Sequence, residues 1–403
     1  MRGACLVVAA ALALPRALAA QFVDPSGEWR TLHTAHFRVH FRPAYRAAAY
    51  EAAREAERAY RLLAAELHAP RGPVEVTLAD DADVANGFAT VVPSNRLTLF
   101  LTPPTTEPAL QHHDDWLRLV TVHELAHVFH LDRARGFWGV LQSVFGRAPG
   151  LFPNVYQPSW VTEGIATYYE SRFTTAGRLG GAYHAQLLGA DVAGGTARSP
   201  WDALFFTRWP DGHTPYAYGS TLFDAVARGA GDSVVPRFVE ATAKQTIPFR
   251  VGRQLRRVGA TADLDSTWRE AVRAAAVAAA GAPEPEVMLR ELWADPAPAA
   301  SADGRRVAWV RHDGRGAPRL VVADGTTLAP LRSRRVNGGV ALDWTGDTLL
   351  VAQLDFTDRW RVRSDLYRWE PDGAWRRMTH GARVVEPRAG GGVVTWLELG
   401  AGD

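Results

Sequence analysis

Two histidines four residues apart, with a glutamate beside the first, are the part of this sequence best suited to chemistry. They stand in Thr121-Val122-His123-Glu124-Leu125-Ala126-His127, inside an apolar run that reads as helix. Four residues make just over one helical turn, so His123 and His127 lie about 40° apart on one face. Both imidazoles can then reach one metal ion. Glu124 sits next to that face, where it can take a proton from a water that the metal activates. A catalytic metal of this kind wants a third protein ligand and one open position. Downstream, Trp160-Val161-Thr162-Glu163-Gly164-Ile165-Ala166-Thr167-Tyr168-Tyr169-Glu170 reads as a second helix, beginning at Glu163, and Glu163 offers a carboxylate.

The pair of motifs resembles the gluzincin metallopeptidases of the peptidase MA-like group, whose pattern is H-E-x-x-H followed by W-x-x-E-G-x-A-x-Y. The match falls on Trp160, Glu163, Gly164, Ala166 and Tyr168. The resemblance implies that His123, His127 and Glu163 hold Zn2+, that Glu124 is the general base, and that the chain is a hydrolase of peptide bonds. Glu170 matches an acidic position seven residues after the third ligand. It lies near the same helical face and could orient a ligand histidine from behind. The rival metzincin pattern, H-E-x-x-H-x-x-G-x-x-H, fails: His130 stands at the glycine position and Arg133 at the last histidine. His130 shares the face of the two ligand histidines and is expected to be packed or to support them. His112 and His113, beside Asp114 and Asp115, read as loop and N-cap residues before the helix.

A third segment, His213-Thr214-Pro215-Tyr216-Ala217-Tyr218-Gly219, contains P-Y-x-x-G. It resembles the part of aminopeptidase-type gluzincins that carries a transition-state tyrosine. The resemblance implies that Tyr216 hydrogen-bonds the oxyanion; a tyrosine that anchors the helix start is the structural alternative, and Tyr218 is the other candidate. The G-x-M-E-N segment that grips a free amine in those enzymes is missing before the first motif. A metalloendopeptidase acting on exported proteins or peptides is therefore the favoured reading, with an aminopeptidase-type gluzincin as the alternative. A catalytically inactive periplasmic binding protein is a second alternative, against which the intact Glu124 argues.

These residues need a frame. His33 to Phe41 reads as a strand, Ala44 to Leu67 as an alanine-rich helix, and Val74 to Leu78 and Arg96 to Leu101 as strands, with an Asn86-Gly87 turn between. Phe88 to Val92 or Arg96 to Leu101 would be the edge strand that pairs with a substrate backbone. Leu117 to about Ala280 is mostly helical. Within it the apolar segment Gly136 to Pro158 is expected to pack as core, though it could also line a cleft or touch a membrane surface. After a Pro/Ala junction with Pro296 and Pro298, Ser301-Ala302-Asp303-Gly304 and Thr345-Gly346-Asp347 introduce repeated strand units. These resemble TolB-type β-propeller blades, about two with the start of a third. The expected fold class is α+β: a signal segment 1–20, a small α/β sheet subdomain 21–115, a helical zinc-site subdomain 116–285, and a partial all-β propeller 286–403.

Residues 1–20 have a positive start (Arg2), a short apolar run and an Ala17-Leu18-Ala19 cleavage site. They predict export to the periplasm or outside, with no transmembrane segment in the mature chain. Cys5 is the single cysteine of the chain and would leave with the signal, so no disulfide and no thiolate ligand is expected. A net charge of +2, falling to about zero without Arg2 and Arg16, gives no reason to expect nucleic acid. The implied partners are a peptide or protein substrate and a protein held by the propeller.

Overall fold

The computed structural model describes residues 23–105, 107–204, 212–279, 298–312 and 316–400. The expected signal segment, with Cys5, lies outside them, as does the junction up to residue 297. The fold is mixed α+β.

The N-terminal part is a five-stranded sheet with spatial order β1-β2-β3-β5-β4. Its strands are β1 (Arg30–His33), β2 (Phe37–Phe41), β3 (Val74–Ala79), β4 (Gly87–Thr90) and β5 (Arg96–Phe100). The single strand expected over 33–41 is two. Thr34 turns the chain, its amide donating to Phe37 O at 3.0 Å and its hydroxyl accepting from Phe37 N at 3.1 Å. The two strands then pair antiparallel. Helix α1 (Arg46–Ala64) crosses from β2 to the parallel β3. Its buried face is a stripe of alanines with Leu63, small enough to let α1 sit close to the sheet and to the helix behind it. β5 is parallel to β3 and interior, whereas β4 pairs with β5 alone and forms the free edge.

Helix α2 (Trp116–Leu131) carries the histidine motif. It starts at Asp115, whose side chain accepts from Arg118 N at 2.9 Å. Every residue from Leu119 to His130 is buried. That explains why the run is apolar on all sides and shows no amphipathic stripe. Helices α3 (Gly136–Phe145), α4 (Ser159–Phe173), α5 (Ala182–Ala193), α6 (Thr214–Ala230), α7 (Val234–Lys244), α8 (Val251–Arg257) and α9 (Leu264–Ala279) complete this part. α4 begins four residues before Glu163, not at it. The segment expected to pack as core divides: Phe152 is buried, while Phe137, Val140, Val144, Phe145 and Val155 are exposed.

α4 and α6 pack along most of their length. At their crossing a Cβ on Gly219 would lie 2.0 Å from Trp160 O, and one on Gly164 2.5 Å from Gly219 C. Only glycine allows the two backbones to meet there.

The C-terminal strands form two four-stranded antiparallel meanders. The first holds β6 (Ala299–Ala300), β7 (Arg306–Arg311), β8 (Arg319–Asp324) and β9 (Pro330–Arg335). The second holds β10 (Ala341–Thr345), β11 (Thr348–Phe356), β12 (Val362–Trp369) and β13 (Trp375–Arg377). A hairpin of β14 (Val384–Gly390) and β15 (Val393–Glu398) follows. Among the described residues these sheets do not close into a ring. They meet the N-terminal sheet at a cluster of ion pairs. Arg383 binds both Asp80 oxygens (2.7 and 3.0 Å) and Asp83 (2.9 Å), and Arg363 binds Asp83 at 2.8 Å. Residue Ala82 also bridges Val362 in parallel.

Candidate metal centre and cleft

α2 and α4 bring His123, His127 and Glu163 together. The two Nε2 atoms are 3.2 Å apart. Glu163 Oε2 lies 3.4 Å from His123 Nε2 and 3.3 Å from His127 Nε2. The three donor atoms make a nearly equilateral triangle. A tetrahedral zinc ion with bonds of about 2.0–2.1 Å would have ligand-to-ligand edges of about 3.3–3.4 Å. Glu163 Oε2 is buried and has no hydrogen-bond partner, which is costly unless something else meets it. The N, N, O donor set and its spacing fit a zinc ion. Among the described residues this is the one group of three such side chains that converges.

Electrostatics separates the two glutamates. Burial works against the Glu163 carboxylate, yet His127 and His123 hold it well below the usual carboxylate range. Burial pushes the Glu124 carboxyl up, against the pull of His123 and His127. One carboxyl is thus kept ionised and the other is pushed toward protonation. Burial and Arg178 oppose protonation of His123, but Glu163 and Glu170 outweigh them and raise it to about 9.

Behind the triangle, His123 Nδ1 lies 2.8 Å from Glu170 Oε2 and 2.8 Å from Arg178 Nη2. With Nε2 facing the other donors, these two contacts hold the ring plane. Glu170 is fully buried, and Arg178 holds it: the Arg178 amide and Nε reach Oε1 at 3.0 and 2.8 Å, and Nη2 reaches Oε2 at 2.6 Å. The Arg178 guanidinium also lies 4.5 Å above the Tyr216 ring. Sequence reasoning missed Arg178. It belongs to the loop after α4, in no recognised motif, and only the fold shows that it faces Glu170.

Tyr216 sits in the first turn of α6, its ring stacked 6.0 Å from that of His123. Burial first, then Glu163, pushes its hydroxyl up, and it shares a hydrogen bond with Glu163. It therefore stays protonated as a donor. Gly219 is three residues on, at the backbone crossing with α4, so the same close approach that needs Gly164 and Gly219 carries Tyr216 to Glu163. Tyr218 points elsewhere: its hydroxyl donates to Asp191 at 2.6 Å and accepts from Arg198 N, and its ring stacks on Trp268.

His130 is buried away from the triangle, with Nε2 3.1 Å from Gln157 Oε1; burial, then His127, lowers it to about 3. His112 and His113 bond the carbonyls of Gly177 and Leu110. They are loop residues, and the N-cap is Asp115.

The site opens into a cleft of about 740 Å³. Its floor carries His123, Glu124, His127 and Glu163, and Tyr216 and Arg178 stand at one side. The edge strand β4 also lines it, with Gly87, Phe88 and Ala89. A Cβ at Gly87 would lie 2.6 Å from Glu124 Oε1, so glycine here lets the edge strand approach the acid. Of the two edge segments expected, the first lines the cleft and the second is interior.

No known family model matches the sequence, and no characterised protein matches it either. Solved structures show a distant likeness. An M1 zinc metallopeptidase from Deinococcus radiodurans is 16% identical with a TM-score of 0.35, over 61% of this chain and 51% of the other. Native yeast LTA4 hydrolase is 17% identical with a TM-score of 0.38, over 60% and 39%. Aminopeptidase A of Legionella pneumophila, in complex with aspartic acid, is 12% identical with a TM-score of 0.32, over 88% and 36%. The match spans about a third to a half of the length of these structures.

Proposed function

We propose that this chain is a zinc-dependent metalloendopeptidase acting on exported proteins or peptides. The observation that carries the reading is the triangle of His123, His127 and Glu163 donor atoms, with edges matching a tetrahedral zinc site and with Glu124 in the same cleft. Zinc, when bound, supplies Lewis acidity to a water and to the scissile carbonyl. Glu124 takes the proton of the attacking water and passes it to the leaving nitrogen. Tyr216 donates to the oxyanion. Glu170 and Arg178 keep the His123 ring oriented. The free edge of β4 pairs with the substrate backbone, which gives sequence-tolerant binding.

Endopeptidase action is favoured over amine-gripping action by the lining of the cleft. Among the described residues, Glu124 and Glu163 are its only carboxylates, and both already have roles. The two C-terminal meanders have the four-strand pattern of propeller blades, and we read them as part of such a domain, able to hold a protein partner. Among the described residues no helix is long and apolar enough to cross a membrane. The N-terminal pattern supports export.

The test is hydrolysis of casein and of an N-terminally blocked peptide, with zinc content measured alongside. Zinc at one per chain and chelator-sensitive cleavage of both substrates is the expected result. Cleavage of free-amine peptides alone would replace the reading with an aminopeptidase. Stoichiometric zinc with no cleavage of either would favour a binding protein.

A further inference from the structure

α3 is built inside out. A helix on the surface of a water-soluble domain turns its apolar stripe inward. Here the one fully buried side chain is polar: Gln142, whose amide donates to Leu151 O at 2.7 Å and accepts from Arg71 at 2.6 Å. Phe137, Val140, Val144 and Phe145 lie within about 140° of one another on the helix. They are 50%, 63%, 67% and 66% exposed.

The patch continues beyond the helix. The Phe137 ring is 5.4 Å from that of Trp138, Trp138 is 6.3 Å from Tyr156, and Tyr156 is 5.9 Å from Phe249. Ile247 and Phe249 are themselves more than half exposed. The loop between α7 and α8 is tied to α3 by Trp138 Nε1, which donates to Gln245 O at 2.8 Å, and by Arg135 N on Ala243 O. The apolar surface is therefore continuous and rests on a fixed frame.

Its charge is predominantly positive. Residues 241–262 include Lys244, Arg250, Arg253, Arg256 and Arg257 and no carboxylate. All five are exposed. Residues 133–162 include Arg133, Arg135 and Arg147, again with no carboxylate. Two acids reach this side: Glu240 binds Arg133 and Arg135, and Asp132 binds Arg147 at 2.6 Å, so the positive surplus rests on the five cations of 241–262. An exposed apolar face flanked by cations is the chemistry of a surface that inserts shallowly into an anionic lipid layer.

We propose that the face formed by α3 and the α7–α8 loop docks on an anionic membrane surface. Val155 is exposed beside this face and also lines the cleft. Docking therefore brings the cleft mouth to the headgroup layer, where chain segments leaving the membrane would meet it. The docking does not depend on hydrolysis.

The test is co-flotation of the full chain with vesicles of phosphatidylcholine alone or with about a third phosphatidylglycerol. Binding to the anionic vesicles, weakened by salt, is expected. The double variant Val140→Asp/Val144→Asp should bind roughly tenfold or more weakly while its thermal midpoint and zinc content stay unchanged. Leu331→Asp, an equally exposed site on β9, should bind as the parent does. No binding to anionic vesicles overturns the proposal, and so does equal loss in Leu331→Asp. A concentration-dependent dimer that the double variant abolishes, without lipid binding by the parent, would assign the face to a second copy instead.

Discussion

Two of the buried charge clusters among the described residues are built differently. At the junction between the N-terminal sheet and the second meander, each carboxylate is met. Asp80 accepts twice from Arg383, and Asp83 accepts from Arg363, Arg383 and the Ser364 amide. Under the cleft, Glu170 is met just as fully by Arg178 and His123, but the buried Oε2 of Glu163 faces the Nε2 atoms of two imidazoles at 3.4 and 3.3 Å. A closed network holds parts together. A buried carboxylate oxygen converging with two imidazole nitrogens has the donor set and spacing of a metal site. The difference between a structural and a chemical use of buried charge is visible in that single atom.

The comparison breaks most directly at Glu124. Glu124→Gln keeps size and hydrogen bonding but cannot take a proton at neutral pH. Hydrolysis should fall by about 10²–10⁴-fold, with zinc content and thermal midpoint unchanged. Activity within a few-fold of the parent would remove Glu124 as base.

The junction should respond in the opposite way. Arg383→Ala leaves Asp80 buried and unpaired, which should cost about 3–5 kcal/mol, read from urea unfolding. Arg383 also has a left-handed backbone (φ 54°), a conformation held by its surroundings. Zinc binding and casein cleavage at low temperature should persist. A stability loss below about 1 kcal/mol would mean that the junction behaves as a solvated surface, and a loss of zinc would mean that the two clusters are coupled.

Tyr216→Phe tests the third element of the open site. The expected loss is about 10²–10³-fold in kcat with little change in KM, since the bond strengthens only as the oxyanion forms. Unchanged kcat would leave Tyr216 as a helix anchor, the role its position after Pro215 also suits.

Much of the open site could be read from spacing. The i, i+4 histidines must share a helical face, and Glu163, Gly164 and Tyr216 sit in motifs whose glycines turn out to be the helix crossing. What spacing cannot give is which loop returns to the back of a helix. Arg178 is invisible for that reason, as is the edge position of β4, which depends on strand order. The apolar segment 136–158 misled in a physical way. Hydrophobicity usually implies burial, and here Phe152 turns in while Val140 and Val144 face out, which period alone does not decide. The strand over 33–41 broke because Thr34 bonds its own turn. The junction ion pairs join residues about 300 apart, and no local pattern announces them.

The smallest expected effect belongs to Arg178. Arg178 does not touch the three donor atoms as a ligand. It positions Glu170, touches the His123 ring directly with Nη2 2.8 Å from Nδ1, and covers Tyr216 with its guanidinium. Arg178→Lys retains the positive charge but not the planar fork that meets both Glu170 oxygens. Glu170 should stay ionised, and the fold should survive. The imidazole should be less well held, with zinc affinity or kcat reduced by about 10–100-fold. Zinc competition against a chromogenic chelator separates the two, and Arg178→Met supplies the contrast because it leaves Glu170 without its cation. If lysine weakens zinc modestly and methionine strongly, Arg178 acts on the metal centre through Glu170. If both variants keep full zinc affinity and lose only thermal stability, Arg178 belongs with the junction arginines as a structural ion pair, and the open site begins at His123.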